Sequence, residues 1–149
     1  MNGLYFAYGS NMSTTRLQAR LPHARPVGPG WIEGHQLACN KIGKDGSGKA
    51  NLMPAARAQA WGVLFEIGPD DWSTLDRYEV GYRRESCDIY TNAGEAVGAQ
   101  LYLANSPELE DVPPFDWYRD HCLAGAREHA LPEATLLVIE SWPTVPSKG

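Results

Sequence analysis

The sequence has few cysteines and no apolar stretch long enough to cross a membrane. Cys39, Cys87 and Cys122 are far apart and show no C-x-x-C spacing, which indicates neither a disulfide framework nor a zinc site. No apolar run approaches the roughly 18 residues of a membrane span, and no basic segment followed by an apolar core opens the chain. We therefore expect a cytoplasmic protein without a leader or a contact with membranes.

Charge of one sign is not concentrated anywhere along the chain. The 149 residues carry a formal net charge of −5, and Lys and Arg are scattered in ones and twos. This pattern disfavours nucleic acid as a partner. A domain of this length buries about two-thirds of its unfolded surface, enough for an independent core. We expect residues 1–149 to form one domain, as a monomer or a homodimer.

Several segments show the patterns of short β-strands. Trp61, Val63, Phe65 and Ile67 alternate with other residues and share one face of a strand. Further strands are expected over residues 4–8, 31–40, 84–91 and 96–104. The last two flank a segment whose Asn and Gly favour a tight hairpin turn.

Three helices are expected outside these strands. Ser13 is typical of the N-cap of a helix that runs to about Arg20; a second helix begins at residues 69–71, with Trp72 and Leu75 on one face; a third covers residues 115–129. Glycines over residues 41–49 predict a flexible loop with nothing to pack, and prolines over 105–114 predict an irregular connector. The sequence thus favours an α+β fold, a small, mainly antiparallel β-barrel or curled sheet with flanking α-helices.

The strand over residues 4–8 breaks at once into Gly9, Ser10 and Asn11. Backbone N–H groups at such a break can hold a carboxylate or an oxyanion without a cationic side chain. A turn followed by a helix cap is the alternative, and the turn residues alone favour it. Ser10 is not expected to be a nucleophile, because G-x-S-x-G is absent and the four histidines form no recognisable triad.

Two further residues are candidates for chemistry. Glu79 ends a predicted helix beside Tyr78 and Tyr82, where partial desolvation would raise the pKa of its carboxyl and suit it to accept and return protons. The alternative is a solvated glutamate at a helix end. Tyr118, on the third helix, is either a binding residue or an ordinary core residue. His121 and His129 are too far apart on that helix to share a metal.

Three segments resemble the gamma-glutamylcyclotransferase family, which includes gamma-glutamylamine cyclotransferase and AIG2-like branches. Residues 5–12, YFAYGSNM, are similar to the family's YFAYGSN(L/M) signature. Residues 75–82, LDRYEVGY, resemble its LDxxEG block. Tyr118 followed by GARE at 125–128 and by Leu-Pro at 131–132 resembles its Y…GAKE…LP block. The three segments occur in the family's order and span most of the chain.

The resemblance implies an enzyme that converts a gamma-glutamyl amide into 5-oxoproline, as the substrate's α-amine attacks its own γ-carbonyl and the free amine departs. It implies Glu79 as the catalytic proton carrier, with no metal and no organic cofactor. The substrate-binding residues that it implies are Tyr5, Phe6, Ala7, Tyr8, Gly9, Ser10, Asn11, Tyr82 and Tyr118. The same kind of barrel fold is implied, with a small molecule as the partner.

One departure from the family pattern leaves alternatives open. Val80 stands where the family block has glycine directly after the glutamate, and Gly81 follows one place later, a change that can reshape the turn and re-aim the carboxylate. The alternatives are a non-catalytic binding protein for a small acidic metabolite on the same fold, and a gamma-glutamyl hydrolase or acyl transferase. The amine half of the substrate also stays open: an amino acid, a lysine ε-amine, a small biosynthetic amine or a carrier-bound group.

Overall fold

The computed structural model describes residues 1–147, which form five strands and four α-helices. Lys148 and Gly149, which end the expected domain, lie outside the described residues. The elements are β1 (Gly3–Ala7), α1 (Thr14–Arg20), β2 (Arg25–Ile42), β3 (Gly48–Ile67), α2 (Asp71–Tyr78), β4 (Tyr82–Thr91), β5 (Ala96–Ala104), α3 (Asp116–Glu128) and α4 (Glu133–Glu140). A short 3-10 turn, Ser10–Met12, lies between β1 and α1.

The five strands close into a barrel in the order β1-β3-β2-β4-β5. Neighbouring strands are antiparallel except where β1 meets β5 in parallel, at Tyr5 and Gln100. β4 and β5 form the predicted hairpin, with Tyr90 opposite Ala96, and Gly94 has a left-handed φ of 86° in its turn. The expected mainly antiparallel barrel with flanking helices is confirmed.

β2 and β3 are much longer than the strands that the sequence predicts. The predicted strands 31–40 and 61–67 lie inside elements of 18 and 20 residues. The prediction of a loop with nothing to pack over residues 41–49 is wrong, because only residues 43–47 leave the strands and Ser47 is buried. A Cβ on Gly48 would lie 1.8 Å from the Val112 carbonyl oxygen, so this glycine serves close packing rather than flexibility.

The connector over residues 105–114 contains no helix or strand, as predicted. Its backbone is nevertheless fixed to β2 and β3. The Val112 N–H donates to the Cys39 carbonyl at 2.7 Å, and the Gly48 N–H donates to the Pro113 carbonyl at 3.0 Å. Irregular backbone can lie against the barrel here because its polar groups are paired.

The helices α1, α2 and α3 fall within their predicted ranges. The Ser13 hydroxyl accepts the Arg16 N–H at 3.3 Å and caps α1. α4 is not among the expected helices; its Ile139 is buried, whereas Leu137 and Val138 are exposed, so its apolar residues do not define a single face. Within residues 1–147 no helix has the length and apolar character of a membrane span.

The 3-10 turn after β1 is held from outside the barrel by α3. A Cβ on Gly125 would lie 2.4 Å from backbone atoms of Met12 and Ser13, so the helix and the turn are in backbone contact at this point. Met12 itself is fully buried. The packing of α3 therefore fixes the segment that leaves β1, at one end of the barrel.

Candidate active site

A pocket of about 40 Å³ lies where β1 ends. Its walls come from β1, the turn after it, β3, the segment between α2 and β4, and the strands β4 and β5. The lining residues are Tyr5, Tyr8, Gly9, Ser10, Asn11, Ala50, Glu79, Tyr82 and Tyr102. The structure thus brings the predicted carboxylate to the predicted loop across about 70 residues of chain.

Three of the expected substrate-binding residues lie elsewhere. Phe6 and Ala7 are buried in the core and pair with Leu64 and Val63 of β3. Tyr118 lines a second, outer pocket that adjoins the first. Tyr102 and Ala50 also line the inner pocket, and no sequence pattern predicted them there.

The loop after β1 leaves several backbone donors free. The Met12 N–H donates to the Gly9 carbonyl at 3.1 Å, and the Ser13 N–H donates to the Ser10 carbonyl at 3.2 Å. Within the described residues, the N–H groups of Gly9, Ser10 and Asn11 have no protein acceptor. Since all three residues line the pocket, this loop can bind an anion with its backbone.

Two tyrosine hydroxyls fix the strand that faces this loop. The Ala50 N–H donates to the Tyr118 hydroxyl at 2.9 Å, and the Tyr82 hydroxyl donates to the Ala50 carbonyl at 2.7 Å. A Cβ on Gly9 would lie 3.0 Å from the Ala50 Cβ and 3.3 Å from the Tyr118 Oη. Close packing of the loop on β3 therefore requires glycine at position 9. Tyr118 stabilises that contact through its hydrogen bond with Ala50.

Glu79 reaches the pocket from the end of α2. Its N–H donates to the Leu75 carbonyl at 3.0 Å and closes the helix, and Gly81 then turns the chain with a left-handed φ of 85°. The Glu79 Oε1 accepts the Asn11 amide at 3.1 Å, and the same amide nitrogen lies 3.1 Å from the Tyr5 hydroxyl. Val80 is 47% exposed, and Glu79 lines the pocket despite the departure at the following position.

The surroundings of Glu79 move its pKa into the neutral range. Burial raises the pKa of the carboxyl to about 7, against the opposing effect of Arg20, Lys41, Arg16 and the Asn11 hydrogen bond. The tyrosines that share its pocket are Tyr5, Tyr8, Tyr82 and Tyr102. Tyr78, which the sequence places beside the carboxylate, is instead 51% exposed and lies under the Arg20 guanidinium.

The outer pocket, here called the vestibule, has a volume of about 380 Å³ and shares Ser10, Glu79 and Tyr82 with the inner pocket. Six basic side chains line it: Arg16, Arg20, Lys41, Lys44, Lys49 and Arg77. The sequence analysis missed these residues. Only Arg16 and Arg20 form a sequence pattern that could have indicated a basic surface, because they are four residues apart and so share one face of α1.

Metal-binding residue types are not grouped at this site. Across residues 1–147, no three His, Cys, Asp or Glu side chains come close enough together to hold a metal ion. The three cysteines are free, and Cys39 and Cys122 are buried. Burial raises the pKa of the Cys39 thiol to about 12, so it is not poised as a thiolate.

The chain matches a known protein family and is similar to individual relatives. The family model described as gamma-glutamyl cyclotransferase, AIG2-like, matches residues 5–120. The gamma-glutamylcyclotransferase of Bos taurus is 29% identical over 138 residues, which cover 87% of this chain and 72% of that protein. The Homo sapiens gamma-glutamylcyclotransferase is 28% identical over 138 residues with the same coverage.

Solved structures show the same fold. A gamma-glutamyl cyclotransferase structure superposes with a TM-score of 0.91 at 23% identity and covers 100% of this chain and 92% of that one. An AIG2-like protein from Mus musculus gives a TM-score of 0.57 at 17% identity, with 72% and 80% covered. Because the family model matches residues 5–120, well over half of the chain, the chain belongs to the gamma-glutamyl cyclotransferase, AIG2-like family of enzymes.

Proposed function

We propose that the protein converts a gamma-glutamyl amide into 5-oxoproline and a free amine, with Glu79 as the proton carrier. The observation that carries the proposal is the placement of the Glu79 carboxylate, whose pKa is about 7, in one pocket with the free backbone donors of Gly9, Ser10 and Asn11. A group that titrates near the working pH can both accept and return a proton. Family membership supports the same reaction.

In this reaction the substrate supplies its own nucleophile. The α-amine nitrogen bonds to the γ-carbonyl carbon, and the bond between that carbon and the departing amine breaks. The pocket needs to hold the folded conformer, which replaces loose rotations by a near-attack geometry. Such orientation contributes on the order of 7–11 kcal/mol in the best intramolecular cases. No covalent enzyme nucleophile takes part.

Glu79 moves the protons of both halves of the reaction. Its carboxylate takes a proton from the substrate's α-ammonium, and the resulting carboxyl gives that proton to the departing nitrogen. The α-nitrogen loses a second proton as the ring closes, and the same carboxylate passes it to the amine, which leaves as an ammonium ion. The amide of Asn11, which donates to the Glu79 Oε1 at 3.1 Å, holds the carboxylate in place. The loop N–H groups bind the substrate carboxylate or the tetrahedral oxyanion. None of these steps requires a cofactor. The cytoplasmic location of the protein stays a prediction.

The pH dependence follows from the raised pKa of Glu79. Below about pH 7 its carboxyl is protonated and cannot accept the ammonium proton, so kcat/KM should fall on the acid side with a limb near pH 7. A glutamate at its ordinary value would put that limb near 4.5. The measurement is kcat/KM from pH 4 to 9 for the wild type and for residual activity of Glu79→Gln. An acid limb near 4.5, or one that the substitution does not move, would assign proton transfer to another group.

Product analysis separates this proposal from its alternatives. The protein is incubated with a panel of gamma-glutamyl compounds, and products are identified by mass. We expect 5-oxoproline and free amine in equal amounts. Free glutamate would indicate a hydrolase, transfer to an added amine would indicate an acyl transferase, and tight binding without product would indicate a binding protein.

A further inference from the structure

The vestibule concentrates positive charge in a chain whose net charge is −5. Six of the 13 Lys and Arg residues line it, against the two carboxylates of Asp45 and Glu79. Arg16, Arg20, Lys41 and Lys49 are partly buried there. Clefts lined by one sign of charge focus the field and raise the local concentration of ions of opposite sign. An anionic occupant is therefore favoured over a neutral or cationic one.

Most of these cations form no close ion pair with a carboxylate, unlike most basic residues elsewhere in the described chain. Among the six, only Lys49 has a carboxylate within 4.0 Å, with its Nζ 3.2 Å from the Asp45 Oδ2. Outside the vestibule, four described arginines are paired with carboxylates: Arg25 with Glu66, Arg83 with Glu85, Arg84 with Asp76 and Arg127 with Glu140. Arg16 donates to the Ser10 hydroxyl at 3.0 Å and Arg20 donates to the Asn11 Oδ1 at 3.3 Å, but these neutral acceptors carry no compensating charge. A partly buried charge without a close counter-ion costs stability, which a ligand anion would offset.

Aromatic rings hold the vestibule cations in place. The Arg16 guanidinium lies 5.5 Å from the Trp117 ring centroid, and the Arg20 guanidinium lies 4.6 Å from that of Tyr78. The Lys41 and Lys49 ammonium groups lie 5.1 Å and 4.6 Å from the rings of Tyr82 and Tyr118. A cation over a ring face is positioned without losing all its hydrogen-bond donors. Donors therefore remain for a ligand.

The geometry of the proposed reaction places the amine half of the substrate in this vestibule. Glu79 lines both pockets, and it must reach the nitrogen of the departing amine to protonate it. With the glutamyl half against the Gly9 loop, the remainder of the substrate extends past Glu79 into the larger space. The charge of the vestibule then acts on the departing amine.

We propose that the departing amine carries at least two negative charges, either as a dicarboxylic amino acid or as a phosphorylated amine. The inference rests on the proposed cyclisation and narrows its substrate class. A lysine ε-amine or a small cationic amine would bring a further positive charge among six others. The single carboxylate of a neutral amino acid would offer one negative charge to three partly buried cations, Arg16, Arg20 and Lys41, that have no close carboxylate.

Matched substrate pairs test this inference. Gamma-glutamyl-glutamate and gamma-glutamyl-glutamine differ by one charge at nearly equal size, and gamma-glutamyl-O-phosphoserine and gamma-glutamyl-serine compare phosphate with hydroxyl. We expect kcat/KM to favour the acidic member of at least one pair by about tenfold or more, as a charged hydrogen bond does. The preference should shrink in added salt, because ions screen it. The two pairs distinguish a carboxylate from a phosphate.

Variants locate the effect in the vestibule. Lys44→Gln combined with Arg77→Gln removes its two exposed cations, neither of which is among the charges that act on the Glu79 pKa, and should reduce the preference for the acidic substrate several-fold. Arg25→Gln combined with Arg57→Gln removes two charges elsewhere and should leave that preference intact.

Failure of the inference and failure of the proposed function give different results. Equal cyclisation of both members of each pair overturns the inference and leaves the cyclotransferase proposal standing. If no compound is cyclised, the proposed function fails. Calorimetric titration of the wild type with the same pairs then decides the inference, which stands if the acidic member binds more tightly and falls if the affinities are equal.

Discussion

Glu79→Gln should lower kcat by at least ~10²-fold, the smaller end of the range for loss of a general base. Glutamine keeps the size and a hydrogen-bonding head at the position that accepts the Asn11 amide, but it cannot carry a proton. Affinity for 5-oxoproline should largely survive, because the loop donors are unchanged. Steady-state kinetics and calorimetric titration with 5-oxoproline measure the two effects separately.

Glu95→Gln is the matched control for this substitution. Glu95 lies in the exposed turn between β4 and β5, so the same chemical change there should leave kcat unaltered. Near wild-type turnover by Glu79→Gln on the best substrate would remove Glu79 from the proton path. An equal loss in both variants would point to a general effect of the lost charge.

Gly9→Val should abolish detectable binding of 5-oxoproline while the fold is kept. Its Cβ would start 3.0 Å from the Ala50 Cβ and 3.3 Å from the Tyr118 Oη, and its two methyl groups need still more room. The loop must therefore shift away from β3 and carry its backbone donors with it. Overpacking of this kind costs roughly 1–3 kcal/mol. Calorimetry measures binding, and circular dichroism with the Tm monitors the fold.

Gly98→Val is the control for the loop variant. Gly98 lies in β5, and a Cβ added there meets nothing within 4 Å, so valine suits this strand position. Binding should be unchanged. Should Gly9→Val fail to fold, Gly9→Ala makes the smaller displacement and is titrated instead. Wild-type affinity in a folded Gly9 variant would exclude the loop from the site.

The sequence predicted the parts of the site that depend on local pattern. The break from strand to glycine after Tyr8, the N-cap at Ser13 and the helix that ends at Glu79 are each encoded within a few residues, and the structure has all three. The aromatic neighbours of Glu79 were predicted less well. Consecutive helical residues point about 100° apart, so Tyr78 at the end of α2 does not share the direction of Glu79.

The rest of the site depends on closure of the barrel, which local pattern does not encode. Tyr102 reaches the inner pocket from β5, where its hydroxyl donates to the Asp76 Oδ1 at 2.6 Å, and Ala50 reaches it from β3. Local pattern likewise does not predict the basic lining of the vestibule. Basic residues that are scattered along the chain, such as Arg16, Lys44 and Arg77, meet only because α1, the loop between β2 and β3, and α2 surround one opening.

The most direct test of the account is the fate of the γ-carbonyl during turnover in water enriched in ¹⁸O. Attack by the substrate's own α-amine forms a bond from nitrogen to carbon and draws no oxygen from water. We therefore expect one equivalent of unlabelled 5-oxoproline for each amine released, and no turnover of a substrate whose α-amine is acetylated. Glutamate labelled in its γ-carboxyl, or turnover of the acetylated compound, would contradict the account.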